Sequence, residues 1–204
     1  MSNIAGKKAK VMQTGSALTF TDEATTTSDN ITYTISSATK NIWDRTYTIT
    51  VKDGGSPTAE SYTINRLKGT ITFSGSGTRT ITVSGKYLPT TEIANAREVS
   101  YTIEADNQDI TVFGQSYINR LQGLLDFTGS LSNLYTDDSL QDTLIAGVPY
   151  VLEIYNNRSS NYDLRAWVIF ASIEQSGSAD GVVEESVEFE GTNDDDERCV
   201  ATYS

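Results

Sequence analysis

The chain has 204 residues, 37% of them hydrophobic, a formal charge of −12, one cysteine and no histidine. A disulfide framework, a Cys/His zinc site and a His-dependent catalytic triad are therefore excluded. The acidity argues against ordinary nucleic-acid binding, which uses Lys and Arg to displace phosphate counterions. The length suits one large or two small domains, and no apolar stretch suggests a signal-peptide core or a membrane span.

The first residues carry Lys7, Lys8 and Lys10 and read as a flexible basic arm. Ile31, Tyr33 and Ile35 alternate with Thr32 and Thr34, and Tyr47, Ile49 and Val51 with Thr46, Thr48 and Thr50. Period-2 alternation of this kind predicts half-buried strands. Asp53-Gly54-Gly55-Ser56-Pro57 is a turn between strands. Gly75-Ser76-Gly77 separates Ile71–Phe73 from Ile81–Val83 and predicts a hairpin there. Trp43 and Trp167 are expected as core anchors, and Thr91–Arg97 is a weak helix candidate.

The stronger helix spans about residues 137–146. Asp137-Asp138-Ser139 offers a cap and negative charge at the positive end of the dipole, and Gly147 with Pro149 stops the run. Tyr150–Tyr155 alternates as a strand, Asn156–Asn161 reads as a hairpin loop, and Leu164–Ile173 is apolar enough to be buried on both faces. In the last strand Val183, Glu185, Val187 and Phe189 share one face, and Glu184, Ser186, Glu188 and Glu190 the other. Asn193–Glu197 is expected as an acidic tail. Residues 174–197 hold ten acids and no base, a polarity that fits head-to-tail assembly or simply a solvated tail.

One sequence pattern occurs twice. Tyr47-Thr48-Ile49 returns as Tyr101-Thr102-Ile103, Ile64-Asn65-Arg66-Leu67 as Ile118-Asn119-Arg120-Leu121, and Phe73 with Gly75 as Phe127 with Gly129, always 54 residues on. The chain is thus mainly β, with an internally duplicated β-unit at 44–76 and 98–130.

From Phe127 onward the order of features is specific: a strand ending Phe127-Thr128-Gly129-Ser130-Leu131, a short acid-capped helix closing at Ala146-Gly147, a hairpin, an apolar strand, then Asp180–Gly191. This order resembles the major tail tube proteins of long-tailed, siphovirus-like bacteriophages. Val83–Pro89, Ala96-Arg97-Glu98, Val112-Phe113-Gly114 and the early Phe20–Thr25 also resemble segments of that family. The likeness covers residues 83–192 and is weaker over 1–82.

The resemblance implies a tail-tube-type β-sandwich or barrel with one short helix. It divides the chain into an arm and β-module at 1–82, read either as an added module or as part of one enlarged fold, a tail-tube-like domain at 83–192 and an acidic tail at 193–204. It also implies a structural virion protein, not an enzyme, with no cofactor and no metal. Its partners would be copies of itself in stacked rings, usually hexameric, together with a tape-measure protein and the tail terminator and distal tail proteins. DNA would pass through without specific binding, no membrane would be involved, and assembly would take place in the host bacterial cytoplasm. The competing reading is a monomeric β-sandwich binding or decoration module, favoured if Tyr155 and Tyr162 are exposed together around one groove.

Candidate lumen-facing acids are Glu184, Glu188 and Glu190, and separately Glu98, Glu104 and Asp106; a solvated outer face is the alternative for each set. Arg66 and Arg120, with Asn65 and Asn119, stand at the same place in both copies. They are read either as inter-subunit contacts, with Asp126 or Glu98 as partners, or as stabilisers of the adjacent turn. Asp194–Glu197 lacks the glycine of a calcium loop. Cys199 has no general base near it in sequence. Chance carboxylate pairs among 27 acids do not make a glycosidase.

Overall fold

A computed structural model describes residues 10–93, 96–113, 116–135, 138–155, 161–177, 181–192 and 199–202. Most of the basic arm, Asp137, residues 156–160 and the acidic run Asp194–Glu197 lie outside them. The strands are β1 (Lys10–Thr14), β2 (Leu18–Thr27), β3 (Thr32–Ile35), β4 (Thr50–Asp53), β5 (Ser56–Pro57), β6 (Tyr62–Asn65), β7 (Thr70–Phe73) and β8 (Ile81–Tyr87). They continue with β9 (Thr90–Glu92), β10 (Ala96–Asp109) and β11 (Arg120–Leu134). After the helix α1 (Ser139–Ala146) come β12 (Tyr150–Tyr155), β13 (Leu164–Ser176), β14 (Glu184–Gly191) and β15 (Val200–Thr202). The protein is mainly β, with two hydrogen-bonded sheets and a single α-helix among the described residues, as its Thr-alternating sequence requires.

The chain divides into two compact units. The first comprises Met1–Glu92, Val151–Ala166 and Asn193–Ser204; the second comprises Ile93–Tyr150 and Trp167–Thr192.

The first unit holds the sheet β5-β4-β8-β2-β3-β7-β6. Its inward face is the core Phe20, Tyr33, Ile35, Trp43, Ile49, Val51, Ile71, Phe73, Ile81 and Val83. Phe20 stacks on Trp43, and Tyr33 meets Phe73 edge to face. The expected turn after β4 is a two-residue hairpin loop whose Gly54 and Gly55 have φ of +57° and +87°. Both residues need the left-handed region, which glycine enters at no steric cost.

Other expectations are corrected. The strand expected from Tyr47 begins only at Thr50. No hairpin joins β7 to β8: β7 pairs with β3 and β6, and β8 with β2 and β4. The segment between them is a crossover held by Arg79, whose guanidinium donates to the carbonyls of Asn30, Gly75 and Gly77 and to Glu60. At Thr91–Arg97 no helix forms over the described residues; Thr90–Glu92 pairs with β1 instead, a tertiary pairing that overrides a weak local preference.

The second unit carries the sheet β10-β11-β14 with the later part of β13. Helix α1 stops as expected at Gly147, which is left-handed and donates its N–H to the Leu144 carbonyl. Asp138 precedes the helix but makes no side-chain cap bond; its carboxylate accepts from the Tyr135 hydroxyl at 2.7 Å. β13 is buried only as far as Val168, then alternates and opens to solvent, so it is not covered on both faces throughout. Trp167 is buried, as is Trp43 in the first unit.

A carboxylate and hydroxyl face on the second unit

β14 is half-buried with strict alternation. Glu185, Val187 and Phe189 are buried, while Glu184, Glu188 and Glu190 are exposed. Antiparallel register then fixes what lies beside each acid. Glu190 is opposite Thr128, and Thr128 opposite Thr102. Glu188 lies between Ser130 and Ser172, with Ser100 beyond Ser130. Ser186 lies between Ser132 and Glu174, and Ser132 faces Glu98. One position further out, Glu104 faces Asp126.

The two separate sets of candidate acids thus meet on one face. Glu98, Glu104, Asp126, Glu174, Glu184, Glu188 and Glu190 share it with Ser100, Thr102, Thr128, Ser130, Ser132, Ser172, Ser176 and Ser186. Hydroxyls separate most of the acids across strands, which spaces like charges that would destabilise the sheet if placed directly opposite. The Ser172 hydroxyl donates to Glu188 Oε2 at 2.9 Å, and Ser100 and Ser130 share a hydrogen bond of 2.9 Å. Glu104 and Asp126 are the exception, two acids in direct register.

A bulge between Ala96 and Glu98 inserts Arg97, which pairs with Glu184. Asp106 follows Glu104 two residues on along β10, at a second bulge between Ala105 and Asn107 where it stands against both Gly123 and Leu124 of β11. There a Cβ on Gly123 would come within 2.3 Å of the Asp106 carbonyl oxygen, so only glycine fits.

The opposite face is apolar. Phe127, Leu131, Val187 and Phe189 are buried on it, with Phe127 and Phe189 ring centroids 5.8 Å apart. Glu185 is buried at the end of this face, held by the amide groups of Asn133 (3.1 Å) and Gln175 (3.2 Å).

The cover stops short of the hairpin's far end. Beyond Phe127, Leu125 on β11 and Ile103 on β10 are exposed, as are Leu121, opposite Gln108 past the bulge, and the loop residues Val112, Phe113, Tyr117 and Ile118. The two ends of the loop are tied to each other by hydrogen bonds. Ile110 N–H donates to the Asn119 carbonyl, Asn119 N–H to Thr111 Oγ1, and Thr111 N–H to Asp109 Oδ1, each at 2.9 Å. Bonds from Thr111, first from its hydroxyl, hold the Asp109 carboxyl below its ordinary value.

The repeated Asn-Arg pairs occupy different settings. Asn65 closes the β6–β7 turn, its Oδ1 accepting from Lys68 N–H at 3.0 Å, beside Arg66. Asn119 closes the hairpin loop through its backbone, and Arg120 opens β11 opposite Asp109.

Sequence reading missed a buried ion pair in the first unit. Glu153 and Arg165 are 2% and 3% exposed. Arg165 Nε donates to Glu153 Oε1 at 2.7 Å, Nη1 to the Leu67 carbonyl and Nη2 to Asn41 Oδ1 at 3.1 Å. The Tyr155 hydroxyl donates to Glu153 Oε2 at 3.0 Å, and the Tyr162 ring lies over the guanidinium. Burial, then the charge of Glu153, pushes the Tyr155 phenol up. The available signal was a lone Arg in the apolar run 164–173 and a lone Glu in 150–155.

This pair forms part of the lining of a cavity of about 480 Å³ with Ile42, Tyr87, Pro89, Tyr155 and Tyr162. Tyr155 and Tyr162 therefore share one cavity but are both buried, so the groove expected of a binding module is not formed by exposed rings.

Among the described residues no Asp, Glu or Cys cluster could hold a metal ion, and no helix is long and apolar enough to cross a membrane.

No family model and no curated protein matches the chain by sequence. Among solved structures, it is similar to a chain in the tail of an empty gene transfer agent particle refined with C6 helical symmetry. The two share 13% identity at a TM-score of 0.49, over 57% of this chain and 87% of that one. It is likewise similar to a chain of a native gene transfer agent virion, with 13% identity and a TM-score of 0.48 over 56% of this chain and 89% of the other.

Proposed function

We propose that this protein is a non-enzymatic structural subunit of a phage-type tail tube, and that its copies join edge to edge into rings which stack around a DNA passage. The observation that carries the reading is the second unit's sheet: one face is mainly carboxylate and hydroxyl, with Leu134 and Ile169 at its margins, and the other is apolar and only partly covered. A sheet with that division suits a wall between a polar channel and a packed outer layer.

β10, fourteen residues long, is the end strand of this sheet, and among the described residues no strand pairs with its outer edge. A closed ring of copies removes such an edge, and a head-to-tail contact along the axis extends the ring into a tube. Carboxylates on the inner wall repel phosphate over a screening distance of about 8 Å at physiological salt. Hydroxyls keep the wall hydrated without adding cations that would hold DNA. On this reading the subunit belongs to the virion tail, assembles in the host cytoplasm and meets a tape-measure protein inside the tube, with terminator and distal tail proteins at its ends.

Negative-stain electron microscopy of the purified protein at rising concentration tests the proposal. Rings or tubes of uniform diameter are expected. A protein that stays monomeric at every concentration, even with a tape-measure partner added, would refute it.

A further inference from the structure

The hairpin loop and the first unit's cavity are a knob and a hole carried by one chain. Phe113 is fully exposed and Tyr117 is 87% exposed, in the connection between β10 and β11 whose ends, at Ile110, Thr111 and Asn119, are tied by hydrogen bonds. No charged residue lies between Asp109 and Arg120. In a chain of charge −12, this segment is one that another copy can approach without adding like charge. Ile42, Tyr87, Pro89, Tyr155 and Tyr162 form the ring-bearing and apolar part of the cavity's lining, beside polar side chains such as Asn41 and Asn161, and its two charges, Glu153 and Arg165, already neutralise each other. Its volume of about 480 Å³ lies within the roughly 300–1,000 Å³ of sites that enclose a compact organic group.

We infer that the Phe113 tip of one copy docks into the Tyr87–Tyr155–Tyr162 cavity of a second copy. The inference rests on the tube-subunit reading and deepens it by naming the two surfaces that meet. Knob and hole are different surfaces, so the contact is heterologous. It leaves a free knob and a free hole at the ends of every open assembly, and it propagates where a two-fold contact would stop. An aromatic side chain brings a large apolar area with few rotatable bonds, which suits an anchor of this kind.

The test uses the full chain with Cys199→Ser. Two variants are prepared separately, Phe113→Cys at the tip and Thr39→Cys at the cavity mouth, and then mixed and oxidised. A disulfide-linked dimer containing one of each is expected at concentrations where the parent assembles. In parallel, Ala38→Trp narrows the mouth from an exposed position that leaves the core intact. It should raise the concentration needed for assembly at least tenfold, measured by sedimentation velocity, with unchanged circular dichroism and melting temperature. If rings or tubes form normally with Ala38→Trp and no mixed disulfide appears, the docking is wrong while the tail reading stands. If the parent itself never assembles, both fall.

Discussion

In residues 44–76 most apolar positions of the repeat build a core; in residues 98–130 most of the same positions face solvent. Leu67 is 1% exposed and its counterpart Leu121 58%; Ile71 is 0% and Leu125 55%. Ile49 is buried and Ile103 is not. Only Phe73 and Phe127 are buried in both copies. The backbone differs too. Copy one breaks into β4, β5, β6 and β7, whose strands pair with β3 and β8 as well as among themselves, whereas copy two is one long hairpin of β10 and β11.

Even the shared glycine serves two purposes. Gly69 takes φ +62° where Asn41 approaches, and Gly123 lets a bulge close against Asp106. A repeated apolar pattern that is covered once and bare once points to a missing cover for the second copy. On the proposal that copies join into rings, the neighbouring copy would supply it.

The largest effect expected comes from the buried pair that ties β13 to the copy-one turn. Arg165→Ala leaves Glu153 buried without its cation and should cost about 3–5 kcal/mol in urea unfolding, with the double variant Glu153→Leu/Arg165→Met recovering much of the loss. Next is the direct contrast between the copies. Leu67→Ala should destabilise by about 2–5 kcal/mol, while Leu121→Ala stays within about 0.5 kcal/mol and instead weakens self-association. Equal destabilisation by both would mean that the second copy is covered within the monomer.

A smaller effect concerns the acid face. Glu188→Lys/Glu190→Lys should leave the thermal melt almost unchanged and confer salt-sensitive retardation of double-stranded DNA in gels, which the parent lacks. The smallest concerns a turn in the first unit. Asp29 accepts from the backbone of Thr32 at 2.7 Å and Ile31 at 2.9 Å, and those bonds, the Thr32 one first, lower its pKa from 3.8. Its contribution is present above the unfolded value near 4 and is lost as pH falls through the lower folded value. Asp29→Ala should therefore lower the melting temperature slightly at pH 7, with the difference shrinking as pH falls below the unfolded value.

The alternation of β14, the Gly54-Gly55 turn and the Gly147 stop were legible because each is local: side-chain direction and backbone sterics settle them. The duplication was legible as well, but not its consequence, since burial depends on what lies above a strand rather than on its own residues. The same holds for the non-local pairing of β7 and β8. The acids of β10 and β14 could be grouped by face within each strand. Only the register through β11 shows that the two groups are one surface, and that Glu174 and Asp126 belong to it. Glu153 and Arg165 were hidden because each was a single charge in an apolar run, with its partner twelve residues away on another strand.

If the protein is a tube subunit, the carboxylate and hydroxyl face of β10, β11, β13 and β14 lines a channel formed by many copies. A cryo-electron microscopy map of the assembled protein, viewed down its axis, shows directly which face is inside. Glu98, Glu188 and Glu190 are expected on the inner wall, with β10 of each copy paired to its neighbour. An assembly with that face on the outside, or with β10 left as a free edge, would contradict the tube reading.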